Sequence, residues 1–258
     1  MAEAEFALVT GASSGIGECF ARALAARRRN LVLVARSKAK VEALANEFRT
    51  AQGVLAEPIG LDLSLPAAAA RLYERLSERR LKISLLVNNA GFGARGNFWE
   101  LPQERQVEML RLNIQTLMEL TYLLLPPMVA ERRGAIINVS STASFQPVPY
   151  TTVYAATKAF VTSFSQGLAE ELRPHGVTVV TLCPGGTDTN FFAASQYGRR
   201  NFSFALQPPE EVVEAALKAL DSGGGLVIPG LKNKIAVFSQ RLAPRSLVVK
   251  AAARIFRA

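Results

Sequence analysis

A glycine-rich turn near the N-terminus reads Thr10-Gly11-Ala12-Ser13-Ser14-Gly15-Ile16-Gly17, between an apolar run and a segment with helical periodicity. Glycine lets the chain turn tightly and lets a ligand come close to the main chain. The N–H groups at the start of a helix bind phosphate. The turn therefore favours a strand, turn and helix that hold the pyrophosphate of a dinucleotide. The alternative at this stage is a plain strand-to-helix turn.

The rest of the chain alternates between short apolar runs and longer amphipathic segments. Apolar runs of this length are typical of strands that are buried on both faces, and intervening helices indicate a parallel sheet. We predict strands near residues 6–10, 31–35, 55–61, 85–89, 135–140, 177–183 and 226–228, and helices near 17–28, 38–52, 67–79, 103–130, 152–173 and 209–220. The predicted fold is α/β: a single Rossmann-type, doubly wound, seven-stranded parallel sheet with helices on both faces.

Composition excludes several other classes of protein. The chain has 258 residues, of which 49% are hydrophobic and 20% charged, so a disordered chain is excluded. Two cysteines and one histidine argue against a disulfide scaffold and against a metal site. The apolar stretch at 120–130 is far shorter than the roughly 18 residues that a membrane span needs. Since the N-terminus shows no signal-peptide pattern, we expect a cytoplasmic protein.

The end of the second predicted strand indicates which dinucleotide is bound. The run at 31–35 ends in Arg36, with Lys38 and Lys40 just beyond. A carboxylate at this point accepts hydrogen bonds from the ribose 2′-hydroxyl, whereas a guanidinium pairs with a 2′-phosphate. Arg36 therefore favours NADP over NAD. The alternative is that Arg36 is a solvated surface charge.

A Tyr and a Lys lie four residues apart, at positions 154 and 158, on one face of the fifth predicted helix. A nearby ammonium stabilises a phenolate, so the pair is suited to acid–base chemistry. Ser141 lies 13 residues before Tyr154, at the end of the fifth predicted strand. Ligands of parallel sheets bind at the carboxyl ends of the strands, where the glycine-rich turn also lies. The sequence thus predicts that Ser141, Tyr154 and Lys158 meet the cofactor there.

In these motifs, residues 6–228 resemble the short-chain dehydrogenase/reductase family. The motifs agree with the family pattern in type, order and spacing: TGASSGIG at 10–17, Asp62-Leu63, NNAG at 88–91, Asn113, Ser140-Ser141, Tyr154-x3-Lys158, and Pro184-Gly185 with Thr187 and Thr189. The C-terminal segment is similar to that of a bacterial subgroup with a basic, hydrophobic tail. The resemblance implies an NADP-dependent oxidoreductase that interconverts a carbonyl and a secondary alcohol.

The family also implies a role for each matching residue. Ser141 holds the substrate oxygen, and Tyr154 gives or takes the proton. Lys158 binds the nicotinamide ribose and lowers the pKa of Tyr154. Asn113 keeps a water molecule in a proton relay. Around the cofactor, Asp62 and Leu63 flank the adenine, and Thr187 and Thr189 contact the carboxamide. The residues expected to bind the cofactor are Gly11, Ser13, Ser14, Gly15, Ile16, Gly17, Arg36, Asp62, Leu63, Asn89, Ala90, Gly91, Tyr154, Lys158, Pro184, Gly185, Thr187 and Thr189.

Aromatic residues near these motifs indicate a hydrophobic substrate. We expect Phe92, Phe145, Tyr150 and Phe191 to line its pocket; the alternative is that they pack the body of the protein. Phe191 opens an irregular aromatic segment, 191–207, which we interpret as a lid. The lid belongs to a catalytic domain at residues 1–230.

Residues 231–258 form a basic, amphipathic tail, with seven Lys and Arg residues. The sequence leaves open whether the tail packs across a subunit interface, contacts an anionic membrane or is disordered. A homodimer or homotetramer is expected from the family, and nucleic acid is not an expected partner. The alternative function is a catalytically silent protein that associates with a membrane surface or another protein through this tail.

Overall fold

The computed structural model describes residues 4–189 and 206–257, and its centre is a seven-stranded parallel sheet. The strands are β1 (Glu5–Thr10), β2 (Asn30–Ala35), β3 (Ala56–Gly60), β4 (Lys82–Asn88), β5 (Gly134–Val139), β6 (Val177–Leu182) and β7 (Gly225–Val227). Their order is β3-β2-β1-β4-β5-β6-β7, and every neighbouring pair is parallel. The sheet confirms the predicted fold class, with one strand at each predicted position.

Helices connect the strands and cover both faces of the sheet, and two further helices follow β7. They are α1 (Gly15–Ala26), α2 (Lys38–Gln52), α3 (Ala68–Glu78), α4 (Gln103–Leu110), α5 (Leu117–Ala130), α6 (Thr152–Leu172), α7 (Pro209–Asp221), α8 (Leu231–Ser239) and α9 (Arg245–Phe256). A π-helical turn, Arg111–Thr116, joins α4 to α5, so the single helix predicted at 103–130 has a local change of pitch. Such turns occur often at functional sites.

The strands are buried on both sides because successive side chains point to opposite faces of the sheet. In β1, Ala7 and Val9 belong to one apolar cluster, and Phe6 and Leu8 belong to the other. The first cluster includes side chains of α1, α2 and α7, and the second includes side chains of α3, α5 and α6. This double burial explains why the strands read as continuous apolar runs.

The order of the strands reverses at β1, which pairs with β2 on one side and β4 on the other. Chain connections leave this point in opposite directions, and a crevice forms there at the carboxyl ends of the strands. The glycine-rich turn follows β1 directly, so it lies at this crevice. The sheet topology therefore determines where the candidate site is.

The tail contributes two helices, α8 and α9, and each contacts the rest of the protein. Val237 of α8 and Ala252 of α9 are buried. Arg95, in the loop after β4, donates hydrogen bonds to the carbonyl oxygens of Phe256 (3.1 Å) and Arg257 (2.6 Å). The end of the tail is thus held against the loop that follows β4.

The predicted lid falls mostly outside the described residues. Only its last two positions, 206 and 207, are described, and Phe191 is not among the described residues. Gln207 donates its N–H to the Gly186 carbonyl (2.9 Å), and Asp188 donates to the Gln207 carbonyl (3.0 Å). The chain therefore leaves and re-enters the described structure at neighbouring points.

Candidate active site

A cleft of about 560 Å³ lies at the carboxyl ends of the strands, beside the reversal of strand order. Most of the predicted site residues line it. From the cofactor set these are Gly11, Ser13, Ser14, Gly15, Ile16, Arg36, Asp62, Leu63, Asn89, Ala90, Gly91, Tyr154, Lys158, Pro184, Gly185, Thr187 and Thr189, and Ser141 joins them. The clustering of residues from so many parts of the chain agrees with the prediction that they share one edge of the sheet.

Two glycines with left-handed backbone conformations shape the glycine-rich turn, and a third lets helix α1 pack close to the turn. Gly11 (φ 68°) and Gly15 (φ 57°) adopt backbone conformations that side chains disfavour. A Cβ atom on Gly11 would lie 2.8 Å from the Asn89 side-chain nitrogen. Gly17 is buried behind the turn against the Gly11 carbonyl, so its role is to let α1 approach the strand rather than to line the cleft.

Thr10 and Asn89 tie this turn to the end of β4. The Thr10 hydroxyl accepts hydrogen bonds from the backbone N–H groups of Asn89 and Ala90, both at 3.0 Å. The Asn89 amide donates to the Thr10 carbonyl at 2.9 Å. These contacts fix the separation between the two strand ends that border the cleft.

Two cations and one acidic residue lie around the outer part of the cleft. Arg36 and Lys40 line it after β2, and both are exposed. Asp62 lines it after β3, and one of its carboxylate oxygens accepts hydrogen bonds from the N–H (2.9 Å) and the hydroxyl (2.7 Å) of Ser64. The turn built by Asp62 presents Leu63, which is buried, to the same space.

Tyr154 and Lys158 lie on one face of α6, one helical turn apart. Burial raises the pKa of Tyr154 to about 12, and a hydrogen bond with Ser141 opposes this rise. Burial lowers the pKa of Lys158 to about 8. The Lys158 ammonium donates to the Val139 carbonyl at 2.8 Å and lies 5.9 Å from the centre of the Tyr154 ring.

The pKa of Tyr154 is shifted in the opposite direction from the one that we predicted. We predicted that the ammonium lowers the pKa of Tyr154, whereas burial dominates and raises it. The physical reason is the burial of Tyr154 itself, while the Lys158 ammonium directs its hydrogen bond to the end of β5. At neutral pH Tyr154 therefore holds its proton, which is the state of a proton donor.

Asn113 lies in the π-helical turn, behind the wall of the cleft. Its amide donates to the Phe92 carbonyl (2.9 Å) and to the Thr157 hydroxyl (3.1 Å), and its oxygen accepts from the Phe92 N–H (3.2 Å). A Cβ atom on Gly91 would lie 2.9 Å from the Asn113 oxygen. Asn113 thus joins the loop after β4 to α6 and supports Gly91 in the cleft wall.

The segment after β6 closes the opposite side of the cleft. Thr142 donates its N–H to the Pro184 carbonyl (2.9 Å), which joins this segment to the one after β5. The Thr187 hydroxyl donates to the Gly185 carbonyl (3.2 Å). A Cβ atom on Gly185 would lie 2.6 Å from the amide nitrogen of Asn233, so α8 packs directly behind this wall.

The residues predicted for the substrate pocket lie in different places. Phe92 is buried and lines the cleft. Phe145 and Tyr150 were expected there as well, but neither is among the described residues that line it. Phe145 ends a short 3₁₀ turn, and Tyr150 has a left-handed backbone (φ 65°) whose carbonyl accepts a hydrogen bond from Gly96.

Several cleft residues were missed from the sequence, and Arg105, Gln146 and Phe256 are among them. The Arg105 guanidinium lies over the Phe92 ring, 3.6 Å from its centre. Gln146 follows β5, and ligands of parallel sheets bind at the carboxyl ends of the strands, so its place in the cleft was predictable. Phe256 is at the end of α9, and nothing in the sequence indicates that the tail returns to the cleft.

Comparisons with known proteins agree with this arrangement. A family model described as short chain dehydrogenase matches residues 5–199. The human very-long-chain 3-oxoacyl-CoA reductase is 34% identical over 223 residues, which are 84% of this chain and 68% of the human protein.

Two solved structures are similar over almost the whole chain. A short-chain dehydrogenase from Sphingobium yanoikuyae in complex with NADPH has a TM-score of 0.85 and 35% identity, and the match covers 95% of this chain and 94% of that one. The bulky-bulky ketone specific alcohol dehydrogenase from Comamonas testosteroni has a TM-score of 0.78 and 34% identity, with 92% of each chain covered.

Proposed function

Because the chain belongs to the short-chain dehydrogenase/reductase family and is thus an oxidoreductase of carbonyls and alcohols, we propose that it reduces bulky, apolar ketones with NADPH. The observation that carries this proposal is the hydrogen-bonded pair of Tyr154 and Ser141, placed beside Lys158 in a cleft with apolar walls. Long-chain 3-oxoacyl thioesters are the first substrates to assay, given the human relative's activity.

The residues of the cleft fit NADPH. The glycine-rich turn leaves room for a pyrophosphate, since side chains on Gly11 and Gly15 would meet Asn89 and Thr189. Arg36 and Lys40 supply positive charge for the 2′-phosphate, and the Sphingobium relative is a complex with NADPH. Asp62 and Leu63 border the adenine end, while Thr187 and Thr189 border the nicotinamide end.

When bound, NADPH supplies a hydride to the carbonyl carbon. The protein must then provide a proton to the carbonyl oxygen and hold that oxygen in place. Tyr154 donates this proton from its hydroxyl, which is protonated at neutral pH. The Ser141 hydroxyl positions the oxygen by a hydrogen bond. Asn113 acts as a positioning residue, through the Phe92 backbone and Thr157.

The walls of the cleft support an apolar substrate. Phe92, Val148 and Phe256 supply hydrophobic surface from three separate parts of the chain. The Comamonas relative is named for bulky ketones, which agrees with a pocket of this type. The Gln146 side chain, whose oxygen is buried without a hydrogen-bond partner among the described residues, is placed to bind a polar group of the substrate.

The same proposal includes a homodimer or homotetramer. Apolar side chains are exposed along α4 and α5: Val107 (42%), Leu110 (43%), Met118 (38%) and Tyr122 (74%). Exposed apolar patches of this kind mark surfaces for association between proteins. Light scattering of the purified chain measures the number of subunits directly.

The function is tested by NADPH oxidation with 3-oxoacyl thioesters and bulky ketones of increasing length. We expect Tyr154→Phe to lower kcat by about 10²–10⁴-fold, since it removes the general acid, with the Kd for NADPH unchanged. The matched control is Tyr73→Phe, a half-exposed tyrosine of α3, which should keep full activity. Normal turnover by Tyr154→Phe would refute the mechanism.

A further inference from the structure

The helix α8 turns an apolar stripe toward solvent. Leu231, Ile235, Phe238 and Leu242 are 72%, 59%, 61% and 76% exposed. They occupy positions i, i+4, i+7 and i+11, so they form one continuous line along α8 and the 3₁₀ turn after it. We call these four residues the outer stripe.

The opposite face of α8 is turned toward the protein. Val237 is buried, and Gln240 is partly buried. Asn233 lies against Gly185 in the wall of the cleft and donates to the Pro229 carbonyl (2.7 Å). A surface helix normally buries its apolar side chains and exposes its polar ones. Here two amide side chains face inward and four large apolar side chains face outward.

Positive charge surrounds the outer stripe. On the helix, Lys232 lies on one side of the stripe, and Lys234 and Arg241 lie on the other. The remaining tail cations are on and just after α9: Arg245, Lys250, Arg254 and Arg257. All seven are exposed, and the sequence has no acidic residue after Asp221.

The tail reaches the active-site cleft at its far end. Phe256 lines the cleft, and Arg95 holds the carbonyl oxygens of Phe256 and Arg257. On the other helix, Asn233 packs behind Gly185, which also lines the cleft. A surface that contacts the two tail helices therefore lies close to the cleft.

We propose that the outer stripe and its surrounding cations form a docking surface for an anionic lipid bilayer. An amphipathic helix with a basic rim lies in the plane of the bilayer, with its apolar side chains in the acyl region and its cations at the headgroups. Within residues 4–189 and 206–257 the structure has no helix that is long and apolar enough to cross a membrane.

A second copy of the chain fits this surface less well. A two-fold contact places the same patch of each subunit face to face. Seven cations would then oppose seven cations, and the tail has no acidic side chain to balance them. Anionic headgroups supply the balancing charge.

Docking would hold the mouth of the cleft close to a source of apolar substrate. This consequence rests on the proposed function, whereas the docking itself does not. Vesicle binding is therefore measured without cofactor or substrate, so a failure of docking and a failure of catalysis give separate results.

The test is flotation of the full chain with two kinds of vesicle. One kind contains phosphatidylcholine alone, and the other contains roughly 30% phosphatidylserine, as a strongly charged leaflet does. We expect binding to the anionic vesicles that is at least about tenfold stronger and that weakens as salt is raised. Ile235→Ser with Phe238→Ser should abolish this binding. The matched control, Leu55→Ser with Tyr73→Ser, removes two exposed apolar side chains from elsewhere and should bind normally.

A charge-reversal pair separates electrostatic from apolar contributions. Lys234→Glu with Arg241→Glu should weaken binding to anionic vesicles at least about tenfold. The control is Arg71→Glu with Arg80→Glu, which changes two exposed cations of α3 and the turn after it and should have a small effect. Unchanged melting temperatures show that the variants fold.

Two results would overturn the proposal. One is equal or absent binding of the wild-type chain to the two kinds of vesicle. The other is a change of molecular mass in light scattering when Ile235 and Phe238 become serine, because the outer stripe would then be a contact between protein subunits.

Discussion

At the scale of single residues, the site depends on two ionisable groups that burial shifts in opposite directions. Burial raises the pKa of Tyr154 to about 12 and lowers the pKa of Lys158 to about 8. Both shifts favour the neutral form of the side chain, as desolvation does for any charge. Spacing predicted which residues meet, but their pKa values depend on how the sheet, α6 and the loop after β5 exclude water around them.

A pH titration of stability measures the burial of Lys158. In the unfolded chain this lysine titrates near 10.5, and in the folded chain near 8. Between these values the unfolded state holds more protons, so the free energy of unfolding rises with pH. We expect it to rise by up to about 3 kcal/mol relative to Lys158→Met, which lacks the amine. Tyr154 is present in both proteins and cancels from the difference.

The measurement is urea unfolding of the wild-type chain and of Lys158→Met at several pH values between about 7.5 and 10.5. This range spans the pKa values of Lys158 in the folded and the unfolded chain. Lys232→Met, which removes an exposed lysine, serves as the control and should follow the wild-type curve. Parallel curves for wild type and Lys158→Met would show that Lys158 is not buried in the folded protein.

At the scale of elements, periodicity predicted the connecting helices well. The bounds predicted for α2, residues 38–52, coincide with those observed. The π-helical turn between α4 and α5 was missed because one inserted residue hardly alters an apolar pattern over 28 positions. That turn positions Asn113 and lets Thr116 donate to the Leu63 carbonyl (2.8 Å), so it connects the loop after β4 with the part of the cleft that Leu63 lines.

The two tail helices show why amphipathic patterns can mislead. Their apolar residues were visible in the sequence, but a pattern does not say which face meets the protein. In α8 the apolar face points outward, because Asn233 and Val237 occupy the contact with the body. The tail's contribution to the cleft, Phe256, depends on how α9 is held by Arg95, which is 161 positions away.

Phe256 is expected to determine how bulky ketones bind. Phe256→Ala removes one apolar wall of the cleft, so KM for bulky ketones should rise about tenfold, in line with 1–3 kcal/mol for a buried apolar contact. The Kd for NADPH should not change. Ile255→Ala is the control, since Ile255 is the adjacent residue, is 50% exposed and is not among the residues lining the cleft. Equal KM values for the two variants would place the substrate elsewhere.

At the scale of the whole molecule, the alternation of apolar runs and amphipathic segments was enough to predict the fold. Right-handed crossovers and strands buried on both faces leave few other arrangements for such a sequence. The cleft follows from the reversal at β1, so its position was also predictable. Its full lining was not, because Arg105 and Phe256 enter it from elements whose direction depends on tertiary packing.

Cofactor binding should stabilise the entire domain. NADPH at a hundredfold excess over its Kd adds about 2.7 kcal/mol to the free energy of unfolding, which for a chain of this size raises Tm by about 5–10 °C. NADH at the same concentration should raise Tm less, because Arg36 has no 2′-phosphate to contact. Scanning calorimetry or dye fluorescence measures both shifts.

The same experiment tests the role of Arg36. In Arg36→Asp the shift with NADPH should fall below the shift with NADH, while Arg80→Asp, which changes an exposed arginine elsewhere, should keep the wild-type preference. If Arg36→Asp retains the preference for NADPH, the charge that selects the cofactor lies on another residue, with Lys40 the nearest candidate in the cleft.

The bonds between Thr10 and Asn89 also have a consequence for synthesis of the chain. They join residues 79 positions apart. At 5–20 residues per second, a ribosome needs roughly 4–16 s to add that length. For this period Thr10 lacks its partners at the end of β4, and the bond from the Ala12 N–H to the Val34 carbonyl joins the turn to another strand. We therefore expect cofactor capture to be a late event, after the fourth strand has emerged and docked beside the first.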